Sequence, residues 1–341
     1  MERPTIHDVA REAQVSLATV DRVLNSRGGV AAKSIEKVHK AVKKIGYVRD
    51  QFAANLSRGR GYRFVFLLPA GQSSFVRALI TAINDESLRV RKDRINIDVR
   101  SSKTFDPAAQ VSALRRIDPE HCDCAAVMVS DVPEVRAELS RLRAAGVRIL
   151  SLVSDVAAPV RDIYVGPDNE VAGRMAGSFL GRFMRNPTGP VLVIAGSLAA
   201  RDHAQRLLGF RQVIASEFPG LTVLPVNEGF DDASRVRAIA QRAMADAPLM
   251  GIYAVGAGNA GLLGALQESN SAFRPVTILH ELTDVAREGL RSDLFDLVID
   301  QDPARAVTRA MSIMRDLADG ANAAAGRGDI PLNIFIKENV Q

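Results

Sequence analysis

The sequence predicts a small all-α head joined to a larger α/β body of two lobes with parallel sheets. Three observations carry that expectation. Charge is segregated: residues 1 to 63 hold 13 Lys and Arg against 6 Asp and Glu, whereas the rest of the chain holds 31 against 33. Apolar positions before residue 46 recur at helical spacing. From residue 62 onward, short apolar runs alternate with amphipathic stretches of helical length, the pattern of parallel sheets covered by helices.

The bulk numbers fit this division. A chain of 341 residues, 47% apolar and 24% charged, has material for two or three globular domains. No apolar run approaches the roughly 18 to 20 residues of a membrane span. The opening "MERPTIHDVA" has no signal-peptide apolar core. The expectation is a cytoplasmic protein without a membrane partner. Cys122 and Cys124 form a lone C-x-C beside His121. One pair and one histidine do not complete a four-ligand metal site, so the thiols read as the start of a buried strand.

The head begins with Thr5 and, three residues on, Asp8, a capping box with Asp in place of Glu. Ile6, Val9, Ala10 and Ala13 share one face of the first helix, and Val15 is expected to break it into a turn. Ser16 can cap the second helix through the Thr19 amide. Val20, Val23 and Leu24 form its buried stripe. After the turn "SRGG", Ile35, Val38, Val42 and Ile45 mark a third helix, with Gly46 as its stop. Lys33, Lys37, Lys40, Lys43 and Lys44 lie on its other faces. Three short helices with a tight first turn make a helix-turn-helix.

Successive residues of the second helix turn by about 100°. Ala18, Arg22 and Asn25 therefore point away from its core stripe, with Leu17 and Asp21 at the boundary. A small residue allows close approach to a major groove, and an Arg can pair with guanine O6 and N7. A three-helix domain whose Arg is merely solvated is the bland alternative. The basic balance and the defined turn favour DNA.

In the body, "RFVFLLP", "INIDVRS", "AAVMVS", "VRILSLVS", "PVLVIAG", "LTVLPV", "MGIYAV", "VTILHE" and "LVID" read as strands. So many strands over about 280 residues suit two lobes better than one. Asp168 and Asn169 read as the cap of "EVAGRMAGSFLGRF". The low-complexity "DGANAAAGRGD", 319 to 329, reads as a surface connection.

The stretch "TIHDVAREAQVSLATVDRVLN" resembles the head of the lactose-repressor family of bacterial transcription regulators, and "VAAKSIEKVHKAVKKIGY" continues the likeness. The resemblance places Leu17, Ala18 and Arg22 at base-reading positions and Ser16, Thr19, Asn25 and Lys33 near phosphates. Thr5 belongs to the same DNA-facing set. Residues 49 to 58, "RDQFAANLSR", correspond to the family's hinge helix, with Leu56 as the minor-groove wedge and Ala53 one turn before it. Arg49-Asp50 stand where the family usually has Pro-Asn, and Ala54 where it has Arg. Asp21 stands where the family most often has Ser. Two roles stay open for it: accepting a hydrogen bond from a cytosine amino group, or holding a basic side chain of the head and so weakening non-specific attraction.

The body, by the same resemblance, has a periplasmic-sugar-binding-protein fold in which two α/β lobes close on a small molecule. Family ligand positions fall on Ser73, Phe75, Asp131, Ser154, Asp155, Arg206, Asn259, Glu281 and Gln301, at or beyond the carboxyl ends of strands. Glu281 and Asn259 replace the family's usual Asp residues. A rival from another class rests on "YAVGAGNAGLLGAL", where Gly256, Gly258 and Gly261 form G-x-G-x-x-G between a strand and a helix, and Glu281 ends the next strand. That meets the sequence test for a dinucleotide site and keeps open an NAD-dependent oxidoreductase or an NAD-sensing regulator. The leading expectation has a DNA-binding domain over 1–48, a hinge and linker over 49–61, and an effector-binding and dimerisation domain over 62–341. It is a non-enzymatic, sugar-responsive repressor without a cofactor, acting as a homodimer on operator DNA.

Overall fold

The computed structural model describes residues 4–24, 29–45, 47, 61–70, 73–90, 94–269, 273–320 and 328–340. The chain divides into two compact units, Met1–Arg60 and Gly61–Gln341.

In the first unit, α1 (Ile6–Ala13), α2 (Leu17–Leu24) and α3 (Ala32–Ile45) surround one small core. The capping box forms: Thr5 Oγ1 accepts the Asp8 amide at 3.4 Å, and Asp8 accepts the Thr5 amide at 2.8 Å. The backbone hydrogen bond from Thr5, then its hydroxyl, holds the Asp8 carboxyl below its usual range. Gln14, in the left-handed region at φ 52°, closes α1. The break therefore falls one residue earlier than Val15. Ser16 Oγ accepts the Thr19 amide at 3.1 Å and opens α2. Val9, Val20 and Val38 are fully buried. In α3, Ala41 takes an inward position, while Ile35 stays 37% exposed. Asn25, Gly46, Ala53 and Leu56 lie outside the described residues.

The second unit opens with β1 (Tyr62–Ala70), α4 (Ser74–Val90), β2 (Ile95–Lys103), α5 (Pro107–Arg115), β3 (Cys124–Val127), α6 (Pro133–Ala144), β4 (Arg148–Leu152) and β5 (Ile163–Val165). The five strands form one parallel sheet in the order β2-β1-β3-β4-β5. Then follow α7 (Asn169–Phe183), β6 (Gly189–Ala195), α8 (Arg201–Glu217), β7 (Leu221–Val223), β8 (Asn227–Glu228), α9 (Ala233–Asp246), β9 (Gly251–Ala254), α10 (Asn259–Gln267), β10 (Val276–His280), α11 (Asp284–Arg291), β11 (Leu297–Asp300), α12 (Pro303–Ala318) and β12 (Asn333–Phe335). Their sheet runs β12-β11-β10-β9-β6-β7, with β8 also on β6 and β12 antiparallel. Counted from its own first strand, the first lobe has the order 2-1-3-4-5, and β7-β6-β9-β10-β11 repeat that order in the second, with β8 set aside and β12 added at the edge. The sequence pattern did not mark β5, β8 or β12, which are too short to show a period.

Both faces of the second sheet are buried. Leu192 and Ile194 of β6 face α9 and α10, while Val191, Val193 and Ala195 face α7 and α8. This is why its strands read as continuous apolar runs. The chain passes between the lobes three times: from β5 into α7, from β11 into α12, and from α12 into β12. Helix α12 covers the first lobe, against α4 and β4; α7 covers the second, against α8 and β10. At the passage, Gly166 N donates to Gly328 O at 3.1 Å and Ile330 N donates to Gly166 O at 3.0 Å.

Helices α7 and α8 touch along glycines. Gly173, Gly177 and Gly181 recur one turn apart on one face of α7. A Cβ on Gly173 would lie 1.9 Å from Arg206 O, and one on Gly209 of α8 would lie 2.1 Å from Glu170 O. Backbone, rather than a flexible side chain, blocks both positions. Gly173→Ala is therefore expected to destabilise the body by about 3 kcal/mol, the scale of an overpacked core. A thermal melt of the full chain checks this, and an unchanged body transition would count against the close contact.

Candidate functional site

A cavity of about 130 Å³ lies between the two lobes of the body. Its walls are the carboxyl ends of strands and the first turns of the following helices, where ligands bind in open α/β sheets. The first lobe contributes Ser73 and Phe75 after β1, Thr104 and Phe105 after β2, Ser130 after β3, and Val153 and Ser154 after β4. The second contributes Asp202, His203 and Arg206 from α8, Phe230 and Asp231 after β8, Gly256 and Ala257 after β9, Glu281 after β10, and Gln301 after β11.

Arg206 is the organising group. It is 2% exposed, held where Gly173 lets α8 approach α7. Its Nε donates to Asn169 Oδ1 at 2.9 Å and its Nη1 to the Val255 carbonyl at 3.0 Å. Nη1 also lies 4.0 Å from Glu281 Oε1, which accepts from Gln301 Nε2 at 2.5 Å. Glu281 and Gln301 are 7% and 3% exposed. Arg206 Nη2, Glu281 Oε2 and Gln301 Oε1 are buried without a hydrogen-bond partner. Buried polar atoms are normally satisfied, so three unmet ones on one cavity wall mark a place where a polar ligand completes the network.

Burial pushes the Glu281 carboxyl up to about 8, against the pull of Arg206. Burial likewise raises Asp231, whose Oδ1 accepts the Ala257 amide at 2.9 Å. At Asp202 burial acts in the same direction, but His203, Arg206 and the Ser154 hydroxyl together hold it below the usual carboxylate range. Non-glycine residues with positive φ concentrate here: Phe105, Val153, Phe230, Asp231 and Glu281, at φ 53°, 65°, 53°, 57° and 73°. Such strained backbone persists where a binding site fixes it.

Of the ligand positions read from sequence, Ser73, Phe75, Ser154, Arg206, Glu281 and Gln301 meet in this cavity, and Asp131, Asp155 and Asn259 are not among its lining residues. Asp131 accepts from Arg136 at 2.6 Å and from Arg201 at 3.0 Å, an ion pair across the lobes. Asp155 accepts from Ser151 at 2.7 Å and from Arg161 at 2.8 Å. Asn259 is turned to the His280 carbonyl at 3.1 Å. Asp168 is the cap of α7, as its sequence position implies, and its neighbour Asn169 positions Arg206. The sequence reading missed Asp202, His203, Phe105, Phe230 and Asp231. The first two were within reach of it, because residues three and four before Arg206 share its helical face.

The lobes are joined across the cavity by their own side chains. Ser154 Oγ donates to Asp202 Oδ1 at 2.7 Å, and the Phe105 ring lies 6.1 Å from that of His203 and 6.4 Å from that of Phe230.

The glycines of the G-x-G-x-x-G are taken up by packing. A Cβ on Gly261 would lie 1.7 Å from Ala233 O, and one on Gly258 would lie 2.7 Å from Val236 Cγ2, both in α9. Gly258 is also left-handed, at φ 92°. The adjoining Ala257 amide already donates to Asp231. These contacts account for the motif without a dinucleotide.

On the head, Leu17 is 41% exposed, and Ser16, Ala18 and Arg22 are exposed beside it. Thr19 and Asp21 are half-buried at the edge of this face. Thr5 and Lys33 are exposed.

A pH dependence follows from Glu281. Its carboxyl titrates near 8 when folded and near 4.5 when unfolded. Between these values the folded chain holds the extra proton, so stability falls as pH rises through the window. Glu281→Gln is expected to flatten that fall. Its stability relative to the parent protein should improve by on the order of 3 kcal/mol from pH 5 to pH 8. Denaturant melts of both proteins at the two pH values check this; parallel pH profiles would refute it.

Comparison with known proteins matches both units. Residues 64–322 match the model of the periplasmic binding protein domain, and residues 5–50 match that of the lacI family of bacterial regulatory proteins. The ribose operon repressor of Halalkalibacterium halodurans is 37% identical over 81 residues, 24% of this chain and 24% of that protein. The maltose regulon regulatory protein MalI of Vibrio furnissii is 46% identical over 52 residues, 15% of this chain and 38% of that one. The chain thus spans about a quarter of the length of the first relatives it matches. Among solved structures, a solute-binding protein from Burkholderia graminis in complex with D-arabinose aligns with a TM-score of 0.73 at 20% identity, over 82% of this chain and 96% of that one. A putative LacI transcriptional regulator from Bacteroides fragilis aligns with a TM-score of 0.73 at 15% identity, over 82% and 99%. The chain belongs to the periplasmic binding protein domain family over most of its length, and its head matches the lacI family of bacterial regulatory proteins.

Proposed function

We propose that this protein is a ligand-responsive, sequence-specific DNA-binding regulator of transcription, a repressor whose effector is a sugar-like small molecule held between the lobes. One observation carries the reading: a single chain pairs an exposed helix-turn-helix face with a two-lobed cleft whose wall holds buried, unpartnered polar atoms. Names of relatives point the same way, a ribose operon repressor and a maltose regulon regulator. In this reading Arg22, Leu17 and Ala18 meet base edges, and Thr5, Ser16, Thr19, Asn25 and Lys33 lie along phosphates. Ala53 and Leu56 enter the minor groove. Two chains bind as a homodimer, one α2 to each half of a near-palindromic operator. The compartment is the cytoplasm, where the DNA is. Among the described residues no helix is long and apolar enough to cross a membrane.

The cleft acts on DNA binding only through unequal affinity for two lobe arrangements. Hydroxyl-rich ligands suit Arg206, Glu281 and Gln301, which make paired hydrogen bonds, with Phe75, Phe105 and Phe230 for the apolar ring face. Ser73 and Ser154 line the same space, and Asp131, Asp155 and Asn259 support its rim and loops. The reading is non-enzymatic, and NAD(H) is expected to leave the melting temperature unchanged.

Selection from a randomised duplex pool, followed by salt titrations, tests the DNA half. An enriched near-palindrome is expected. Arg22→Ala should weaken binding to it by about 2 kcal/mol and relax one base position. Asp21→Ser should tighten binding to random duplex, with a steeper salt dependence, because a carboxylate near the phosphates is removed. No enrichment would overturn the reading. An unchanged random-duplex affinity with a new base preference would instead make Asp21 a base reader. On the ligand half, Arg206→Ala and Gln301→Ala should each abolish the effector's influence on DNA binding while leaving that binding intact.

A further inference from the structure

The charge on the cavity wall says what kind of ligand belongs there. Three carboxylates line it, Asp202, Asp231 and Glu281, against one guanidinium, Arg206, and one imidazole, His203. With every carboxyl ionised, Arg206 and Glu281, 4.0 Å apart, offset each other. Asp202 and Asp231 are then left with a single imidazole between them, whose Nε2 is 3.7 Å from Asp202 Oδ2. Even with His203 protonated, one negative charge is left over. Two further cations nearby face carboxylates outside the cavity: Arg201 pairs with Asp131 at 3.0 Å, and Arg235, over the Phe230 ring at 4.6 Å, acts on Asp232.

Hydrogen-bond demand tilts the same way. The unpartnered buried atoms of the wall are a donor, Arg206 Nη2, an acceptor, Gln301 Oε1, and Glu281 Oε2, an acceptor once its carboxyl is ionised. A hydroxyl offers one donor, whereas an ammonium offers three and a charge. A neutral ligand hydroxyl is enough for Arg206. Phe75, Phe105 and Phe230 line the same space, and aromatic faces attract cations.

We propose that the cleft selects a polyhydroxylated ligand carrying a protonated amine, an amino sugar or amino polyol, with its ammonium against Asp231 and Asp202. The proposal rests on the cleft's being the effector site and adds the ligand's charge class. Protons answer part of the excess: burial raises the Asp231 carboxyl and pushes Glu281 up to about 8. An ammonium takes over that role, so its binding releases protons near neutral pH.

The test uses the full-length protein and calorimetric titration with four matched sets: amino hexoses, their parent hexoses, the N-acetyl derivatives and the hexuronates. Each is run in two buffers of different ionisation enthalpy. At least one amino hexose is expected to bind about tenfold or more tighter than its parent and its N-acetyl form, with proton release. Asp231→Asn should bring amine and parent to similar affinity. Asp202→Asn, read the same way, keeps the test decisive should the first variant fail to fold. A parent hexose or uronate that binds as tightly as every amine, or an amine preference unchanged in the folded Asn variants, would overturn the proposal. Heat with none of the four sets would overturn it too, and with it the reading of the cleft as a sugar-type effector site.

Discussion

A guanidinium buried away from water costs several kcal/mol unless its surroundings repay it, and the body of this protein is built around one. Arg206 fixes what its neighbours must be. Asn169 opens α7 and gives Arg206 an oxygen; β9 gives it the Val255 carbonyl; β10 and β11 give it Glu281 and, behind it, Gln301. The approach of α8 that brings it there is possible only because Gly173 and Gly209 have no side chain at the crossing. Packing, polarity and the shape of the cleft are one arrangement seen at three scales.

That arrangement is still incomplete. One nitrogen of Arg206 and one oxygen each of Glu281 and Gln301 have no partner. The same wall holds two consecutive residues in left-handed backbone, Phe230 and Asp231. A fold selected for stability alone has no use for unmet hydrogen bonds and strained loops in one place. A fold that waits for a ligand has use for both, because the groups stand preorganised and the ligand's own atoms supply what is missing.

The head was legible in the sequence almost residue by residue, because its determinants are local. A capping box, a serine cap and a stripe at positions 20, 23 and 24 all act within one or two turns. In the body, long apolar strands were legible, and of the shortest only β7 was, where apolar residues continue past its end in "LTVLPV". Strand β5 has three residues and β8 two, too few for any period to show. At the cleft, strand ends could be located but not the direction in which their side chains turn. Asp131 and Asp155 look like ligand groups in the sequence, yet Arg136, Arg201 and Arg161 hold them, and those partners are set by tertiary contact. Asp231 went unseen because the strand before it is so short. His203 and Asp202 could have been found by counting back one turn from Arg206.

The interleaving of the two lobes has a consequence for how the molecule is made. Helix α12, which covers the sheet of the first lobe, comes from residues 303 to 318, after nearly all of the second lobe. During synthesis the first lobe emerges with one side of its sheet covered only by α4, and the remainder stays bare until nearly all of the second lobe has been translated. The parts of β3 and β4 that α12 will cover then stay open to other chains while residues 153 to 302 are translated. Neither lobe is a finished folding unit by itself, so a ribosome that stalls before residue 303 releases a product that cannot close its own core. Supply of the protein is thereby tied to complete translation, and a truncated chain is work for chaperones and proteases rather than a competing half-molecule.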